Sequence, residues 1–249
     1  MKKHLLVGAT LAGTLTVTLA STLAASLANA SDIDTLQNLA QTEFRALSED
    51  LGATLSYKSL SPAKALGITG FDLSLSVTGT SLDSLATWKK ATGGDSIPST
   101  LPVPMLRVAK GLPFNIDVGA FYLAIPDTNV RLYGGEMRWA FIEGGVATPA
   151  VSVHGTYSRL TGVDQLDLNT KSVDVSISKG FTVLTPYAGV GQVWTNATPV
   201  GVPLLRGESI TQTKYFGGLN FNLGLPNIAV EADQTGGITS YGIKFGLRW

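Results

Sequence analysis

The sequence predicts an all-β protein: an antiparallel up-and-down transmembrane β-barrel of about ten strands, with roughly eight to twelve compatible, and a short N-terminal helix ahead of it. Three observations point there. From about residue 68 onward apolar and polar residues alternate with a period of two; aromatic residues sit at the ends of the alternating runs; and only 14% of residues are charged although no apolar run after residue 30 approaches the ~20 residues of a spanning helix. High average apolarity without long apolar runs results when every second residue faces lipid.

The chain opens with Lys2 and Lys3, continues through an apolar stretch from Leu5 to about Leu27, and reaches Ala28-Asn29-Ala30. A charged start, an apolar middle and a small-residue end are the three regions of a secretory signal, so residues 1–30 are expected to be removed after Ala30. No Cys is present, which excludes disulfides, thiolate metal sites, Cys nucleophiles and a lipid anchor on Cys. Without Lys2 and Lys3, 16 basic residues (18 − 2) face 18 acidic ones. That near-neutral balance gives no basic footprint, and nucleic acid is not an expected partner.

Residues 31–66 form the second expected unit, an N-terminal helix that is either a plug or a periplasmic segment. Ile33, Leu36, Leu39, Ala40, Phe44, Leu47 and Leu51 recur at helical spacing, so a helix is expected over 32–50, capped by Ser31 and ended by Gly52. A further strand over 51–58 is compatible with the pattern and would make the count odd.

Residues 67–249 are the expected barrel. The last run is the clearest: Tyr241, Ile243, Phe245, Leu247 and Trp249 alternate with Gly242, Lys244, Gly246 and Arg248. Similar alternation marks strands at about 68–79, 103–109, 114–124, 129–141, 149–160, 169–179, 181–196, 209–222, 226–234 and 237–248. The pairs Phe114/Tyr122, Tyr133/Phe141, Tyr215/Phe221 and Tyr241/Trp249 bracket their runs. Eight residues of a tilted strand, the separation in three of the four pairs, span roughly 20 Å along the membrane normal, close to the ≈ 25 Å apolar band of such barrels, so these pairs read as two aromatic girdles. Connections alternate between short and long, the long set including 80–102, 161–167 and 197–208. Short turns belong to the periplasm, which places both termini there. Loop 80–102, with Trp88, Lys89 and Lys90, is expected to act as a lid or a contact surface.

The final residues resemble the C-terminal assembly signal of Gram-negative outer-membrane proteins, with Trp249, Leu247, Phe245, Ile243 and Tyr241 at every second position. The chain also looks like uncharacterised proteobacterial outer-membrane proteins around Gly67-Ile68-Thr69-Gly70-Phe71-Asp72 and Gly162-Val163-Asp164-Gln165-Leu166-Asp167. The resemblance implies outer-membrane location, outer-membrane lipid and lipopolysaccharide as surroundings, and the assembly machinery as a partner of the last strand. It implies no activity.

Parity turns Asp72, Asp117, Glu136, Asp174, Glu231 and Asp233 inward with Arg107, Arg138, Lys214, Lys244 and Arg248, and His154 joins them. An ion-selective pore displays a ring of one sign, whereas six acids against five bases can pair across a narrow interior and close it. A barrel of eight strands is just filled by side chains, and sixteen or more leave a channel. A non-enzymatic barrel of structural or surface-contact type with a largely plugged lumen is therefore expected. The alternatives are a narrow channel or transporter for small, hydrophobic molecules and, below that, a hydrolase in which His154 works with a serine and Asp174. No catalytic, cofactor-binding or metal-ligating set is expected.

Overall fold

The computed structural model describes residues 32–94, 97–124 and 128–249; the signal segment and Ser31 lie outside them. Ten strands run β1 (Phe71–Ser81), β2 (Thr100–Leu112), β3 (Ile116–Ala124), β4 (Arg131–Glu143), β5 (Ala150–Thr161), β6 (Leu166–Ser178), β7 (Leu184–Pro199), β8 (Glu208–Asn222), β9 (Pro226–Thr235) and β10 (Ile238–Arg248). Each pairs antiparallel with its sequence neighbours, and β1 pairs with β10 to close the barrel. Closure removes both sheet edges, which an open sheet would expose to lipid as unpaired amides and carbonyls.

The two ends of the barrel differ. At one lie the compact turns after β2, β4, β6 and β8; at the other lie the connection 82–99, which carries a short helix, and the connection 200–207. We call these the turn end and the loop end. The length difference is not uniform, because β9 and β10 are joined at the loop end by Gly236 and Gly237 alone, both at positive φ. That Gly-Gly pair makes a tight hairpin without steric penalty. β3 starts later than the alternation suggests: Phe114 and Asn115 occupy a left-handed turn (φ 64° and 58°), so Phe114 lies outside the strand.

The outer wall is apolar. Toward the loop end it carries Tyr122, Tyr133, Tyr157, Trp194, Tyr215 and Tyr241, and toward the turn end Phe71, Phe114, Trp139, Phe141, Phe181 and Trp249, all exposed. Between these collars lie aliphatic residues such as Leu75, Val108, Val175 and Val190. Tyr-rich and Phe-rich rings around an aliphatic band are the outward pattern of a membrane-spanning barrel. No helix among the described residues is long and apolar enough to cross a membrane.

The N-terminal segment departs most from expectation. A 3-10 turn (Leu36–Asn38) precedes helix α1 (Gln41–Leu55), so the helix starts nine residues later (41 − 32) and ends five later (55 − 50) than its apolar spacing suggests. The Glu43 carboxylate accepts the Ala40 amide (2.9 Å), which starts the helix there. Gly52 does not end it. A Cβ at Gly52 would come within 2.5 Å of Thr195 Oγ1, so this glycine lets the helix approach the barrel wall. The helix ends at Ser56, where Lys58 Nζ donates to the Ala53 carbonyl (2.6 Å), a cation at the negative end of the dipole. There is accordingly no strand at 51–58.

Candidate functional site

The barrel interior is filled by the chain's own residues 32–66. Asp32 Oδ1 accepts the Asn129 amide (2.7 Å), the Leu36 amide donates to Gln165 Oε1 (2.9 Å), and Thr35 Oγ1 donates to the Lys90 carbonyl (2.8 Å), all at the loop end. From there α1 descends between β2, β7, β8 and β10. Residues 56–66 continue as an irregular strap to the turn end, where the Leu66 amide donates to both oxygens of Asp117 (3.0 and 3.2 Å) and Arg248 to the Lys64 carbonyl (3.4 Å). The described N-terminal residues and the end of β10 therefore lie at opposite rims. This corrects the expectation that both termini share a side: an even strand count places the start of β1 beside the end of β10, and says nothing of chain that precedes β1.

The interior has two chemically distinct halves. Near the loop end it is apolar, with Phe44, Leu47 and Leu51 of α1 packed on Leu101, Phe121, Leu132, Leu160 and Leu168 of the wall. The inward face is thus not uniformly small or charged, because a helix with its own apolar stripe occupies that half. The short helix α2 (Leu85–Ala91) covers the top, with Trp88 buried beneath it. Trp88 Nε1 and the Ser84 amide both donate to Asp50 Oδ2 (2.9 and 3.0 Å). The connection covers the loop end as a lid does, and the outward side of α2, with Leu85, Lys89 and Lys90 exposed, stays open for contact, so the two roles expected for loop 80–102 are compatible.

Burial pushes the Asp50 carboxyl above the usual aspartate range, against the pull of those hydrogen bonds. A group whose folded-state value is raised contributes its stability when protonated, and that contribution is lost as pH rises through the folded-state value. Asp50→Asn, which keeps an uncharged acceptor, is expected to abolish this pH dependence of lid stability. Asp50→Ala leaves the buried indole N–H without an acceptor and is expected to cost about 1–3 kcal/mol. Limited proteolysis of the 82–99 connection as a function of pH measures both; an Asn variant that keeps the wild-type pH profile would contradict the assignment.

Toward the turn end the interior is ionic. Arg107 reaches Glu136 Oε1 through Nε (2.6 Å) and Asp72 Oδ1 through Nη1 (3.3 Å), and Lys244 adds a contact to Asp72 Oδ2 (3.2 Å). His154 continues the chain, with Nε2 on Glu136 Oε2 (2.8 Å) and Nδ1 on Asp174 Oδ2 (3.3 Å). Both ring nitrogens therefore face carboxylates. The serine expected beside His154 is not its partner; Ser152 bonds Ser176 instead (3.0 Å), and the serine–histidine–acid reading is corrected accordingly. Register explains why: His154 is paired in the sheet with Asp174 on one side and with Arg138, beside Glu136, on the other.

The strap joins this network. Lys58 Nζ lies 3.5 Å from Asp233 Oδ1, Arg138 Nη2 donates to Ser61 Oγ (2.6 Å) while Nη1 lies 3.8 Å from Asp117, and Lys214 donates to the Tyr57 carbonyl (2.8 Å). The Tyr57 ring packs on Phe121 (centroids 4.5 Å apart) and His154 (5.4 Å). Sequence reasoning overlooked Lys58, and it changes the balance: five wall bases plus Lys58 make six, against six acids. A signal was present, since Lys58 is the one cation among the serines Ser56, Ser59 and Ser61, just ahead of the barrel. Glu231 is the exception in the network. Neither of its oxygens meets a donor at full hydrogen-bonding geometry, its register neighbours are Gly218 and Gly242, and Lys214, the Tyr187 hydroxyl and Lys58 supply the compensating field.

The eleven wall charges expected inward, with His154, all lie on the inner wall; Arg248 at the turn rim is half-buried and the others are buried. Tyr241, Ile243, Phe245, Leu247 and Trp249 lie on the outer face of β10 and at its end. Cavities of about 440 Å³ at the loop end and 610 Å³ at the turn end flank the filled section, while the void beside Tyr57 is about 20 Å³. Among the described residues no cluster could hold a metal ion.

No protein-family model matches the sequence, and no curated protein matches it. Among solved structures the chain is similar to the N-terminal β-barrel domain of Pseudomonas aeruginosa OprF, with 14% identity over 72% of this chain and 97% of that one, TM-score 0.36. It is similar to Ail, the attachment invasion locus protein of Yersinia pestis, with 13% identity over 73% and 99%, TM-score 0.32. The KdgM porin gives 6% identity over 71% and 98%, TM-score 0.37. Likenesses of this size assign no activity.

Proposed function

We propose that this chain is an integral outer-membrane barrel whose lumen is closed by its own residues 32–66, serving as a structural and surface-contact protein and not as a diffusion pore. The observation that carries the reading is the exposure of the mid-lumen wall. His154 and Lys244 are 1% exposed and Lys214 2%, values that a water-filled channel of this width would not leave. The charges are balanced in sign and most are paired, with Glu231, Lys214 and Arg248 outside the ion pairs, so no ring of one sign is available to select ions. With both nitrogens of His154 engaged by carboxylates, the site offers no activated nucleophile, which supports a non-enzymatic reading.

In this reading export follows cleavage after Ala30, the turn end faces the periplasm, outer-membrane lipid and lipopolysaccharide surround the aromatic collars, and the assembly machinery recognises the β10 end. The cap built from residues 32–40, α2 and the 200–207 connection is the contact surface. Reconstitution in planar bilayers tests the reading. Membranes containing the purified protein are expected to stay silent, whereas large, steady openings would oppose it. One observation favours the narrow-transporter alternative: residues 56–66 also meet the wall through polar contacts, Arg138 to Ser61 and Lys214 to the Tyr57 carbonyl, which water can replace if the strap shifts. Brief small openings induced by voltage, in place of silence, would mark that behaviour.

A further inference from the structure

Residues 32 and 66 are held at opposite rims by independent contacts. At the loop end the connections after β3, β5 and β7 and the helix α2 each bond the N-terminal segment: Asn129 to Asp32, Gln165 to Leu36, the Arg206 carbonyl to Gln41 Nε2 (3.1 Å), and Lys90 to Thr35. At the turn end Asp117 and Arg248 hold Leu66 and Lys64, and the Gly111 amide donates to the Gly70 carbonyl (3.0 Å) just before β1 begins. Between the rims the chain passes through a section with no spare room. At Gly52 even a Cβ would come within 2.5 Å of Thr195 Oγ1 and 3.0 Å of Gln212 Oε1, Leu60 is fully buried, and Lys58 sits in its ion pair with Asp233.

Threading this segment into a closed barrel from the turn end would draw Asp32, Asp34, Glu43, Arg45 and Glu49 through that filled section, stripped of water and without partners there. The seam between β1 and β10 therefore closes around the segment and does not precede it. Asp72 and Lys244, one on each side of the seam, pair across it and share the Arg107 network that faces the strap.

We infer that this barrel carries its own N-terminal segment across the membrane as it closes and presents residues 32–40 on the face opposite the end of its C-terminal strand. The inference rests on the reading of the chain as a membrane-spanning barrel. Its consequence is functional: the surface met by a partner on the loop side includes Asp32, Asp34, Gln37 and Asn38, all exposed, as well as the loops. The barrel is then a display device for its own N-terminal residues.

The chain has no cysteine, so single thiols report sidedness directly. Three variants of the full chain suffice: Gln37→Cys in the N-terminal segment, Leu204→Cys in the β7–β8 connection (86% exposed) and Val146→Cys in the β4–β5 turn (fully exposed). Each is expressed in a Gram-negative host and treated with a membrane-impermeant maleimide, on intact cells and after permeabilisation. Positions 37 and 204 are expected to be labelled on intact cells, and position 146 only after permeabilisation. If position 37 follows 146 and departs from 204, the inference is overturned. Should 204 and 146 behave alike, the membrane-spanning reading itself fails and the inference goes with it. If 146 alone is labelled on intact cells while 37 and 204 require permeabilisation, the barrel lies inverted relative to the proposed orientation, yet the two ends of the chain are still on opposite faces and the inference stands.

Discussion

Replacing Arg107 with alanine is expected to lower the stability of the folded barrel by roughly 3–5 kcal/mol, the cost of leaving buried charge without its partner. The guanidinium contacts two carboxylates, Glu136 at 2.6 Å and Asp72 at 3.3 Å, and all three side chains are about 3% exposed or less. Lys244 still compensates Asp72 after the change, and His154 still meets Glu136, so the loss falls mainly on the Glu136 oxygen that Arg107 occupied. Arg138→Ala is expected to cost less, because its contact to Asp117 is 3.8 Å long and the Leu66 amide also serves that carboxylate. Denaturant unfolding in detergent or lipid, followed by tryptophan fluorescence, measures both. In a water-filled lumen these pairs would behave as exposed ones, each worth about 0–1 kcal/mol. An Arg107→Ala variant within that lower range would show that solvent enters the interior, and the closed-lumen proposal would go with it. The double variant Arg107→Ala/Glu136→Ala separates the interaction from the stranded charge, and it should recover part of the single loss.

How much of this was legible in sequence follows from the physics of each part. The ten strands were readable because successive side chains face lipid and lumen in turn, so parity assigns Asp117, Glu136 or Lys244, although the polar contrast fades near the loop end, where Leu101, Phe121 and Leu132 face inward onto α1. The helix was readable as a helix but not in place. Its apolar residues from Ile33 to Leu51 form one continuous spacing, yet Ile33, Leu36 and Leu39 bury themselves under the lid from irregular backbone and a 3-10 turn, and only Phe44 onward lies on α1. Ser48, Asp50 and Thr54 are buried on what looked like its polar face, since below its first turns, where Thr42 and Arg45 still reach solvent, the helix is surrounded by the barrel wall and the lid. Residues 56–66 were readable only as part of a possible plug, and neither their path nor their partners could be read. They follow no period, their contacts are to residues distant in sequence, and a lysine such as Lys58 is rarely fully buried unless paired, so nothing local announces that Asp233 waits for it.

Deleting Trp249, or replacing it with Asp, is expected to abolish insertion in cells while Trp249→Phe preserves it. Two contributions are separable. The structural one is visible: Trp249 and Phe71 exchange backbone hydrogen bonds (2.8 and 3.1 Å) and stack their rings 5.4 Å apart, forming the last rung of the closing seam. That rung lies at the turn-end collar, and a charged residue near the membrane interface costs a barrel only about 0–1 kcal/mol, less still for Asp. The seam loses one rung of its ladder and keeps the register from Asp72 to Thr80. Stability alone therefore predicts a modest effect, far short of failed insertion. If the terminal aromatic is also the feature by which the assembly machinery recognises β10, the Asp variant should refold in detergent with the usual shift between heated and unheated gels, yet be missing from the outer membrane of the cells that make it. Failure in both settings would make Trp249 a structural closure residue and nothing more. Normal, heat-modifiable Asp variant in the outer membrane would remove the C-terminal strand from the account of assembly altogether.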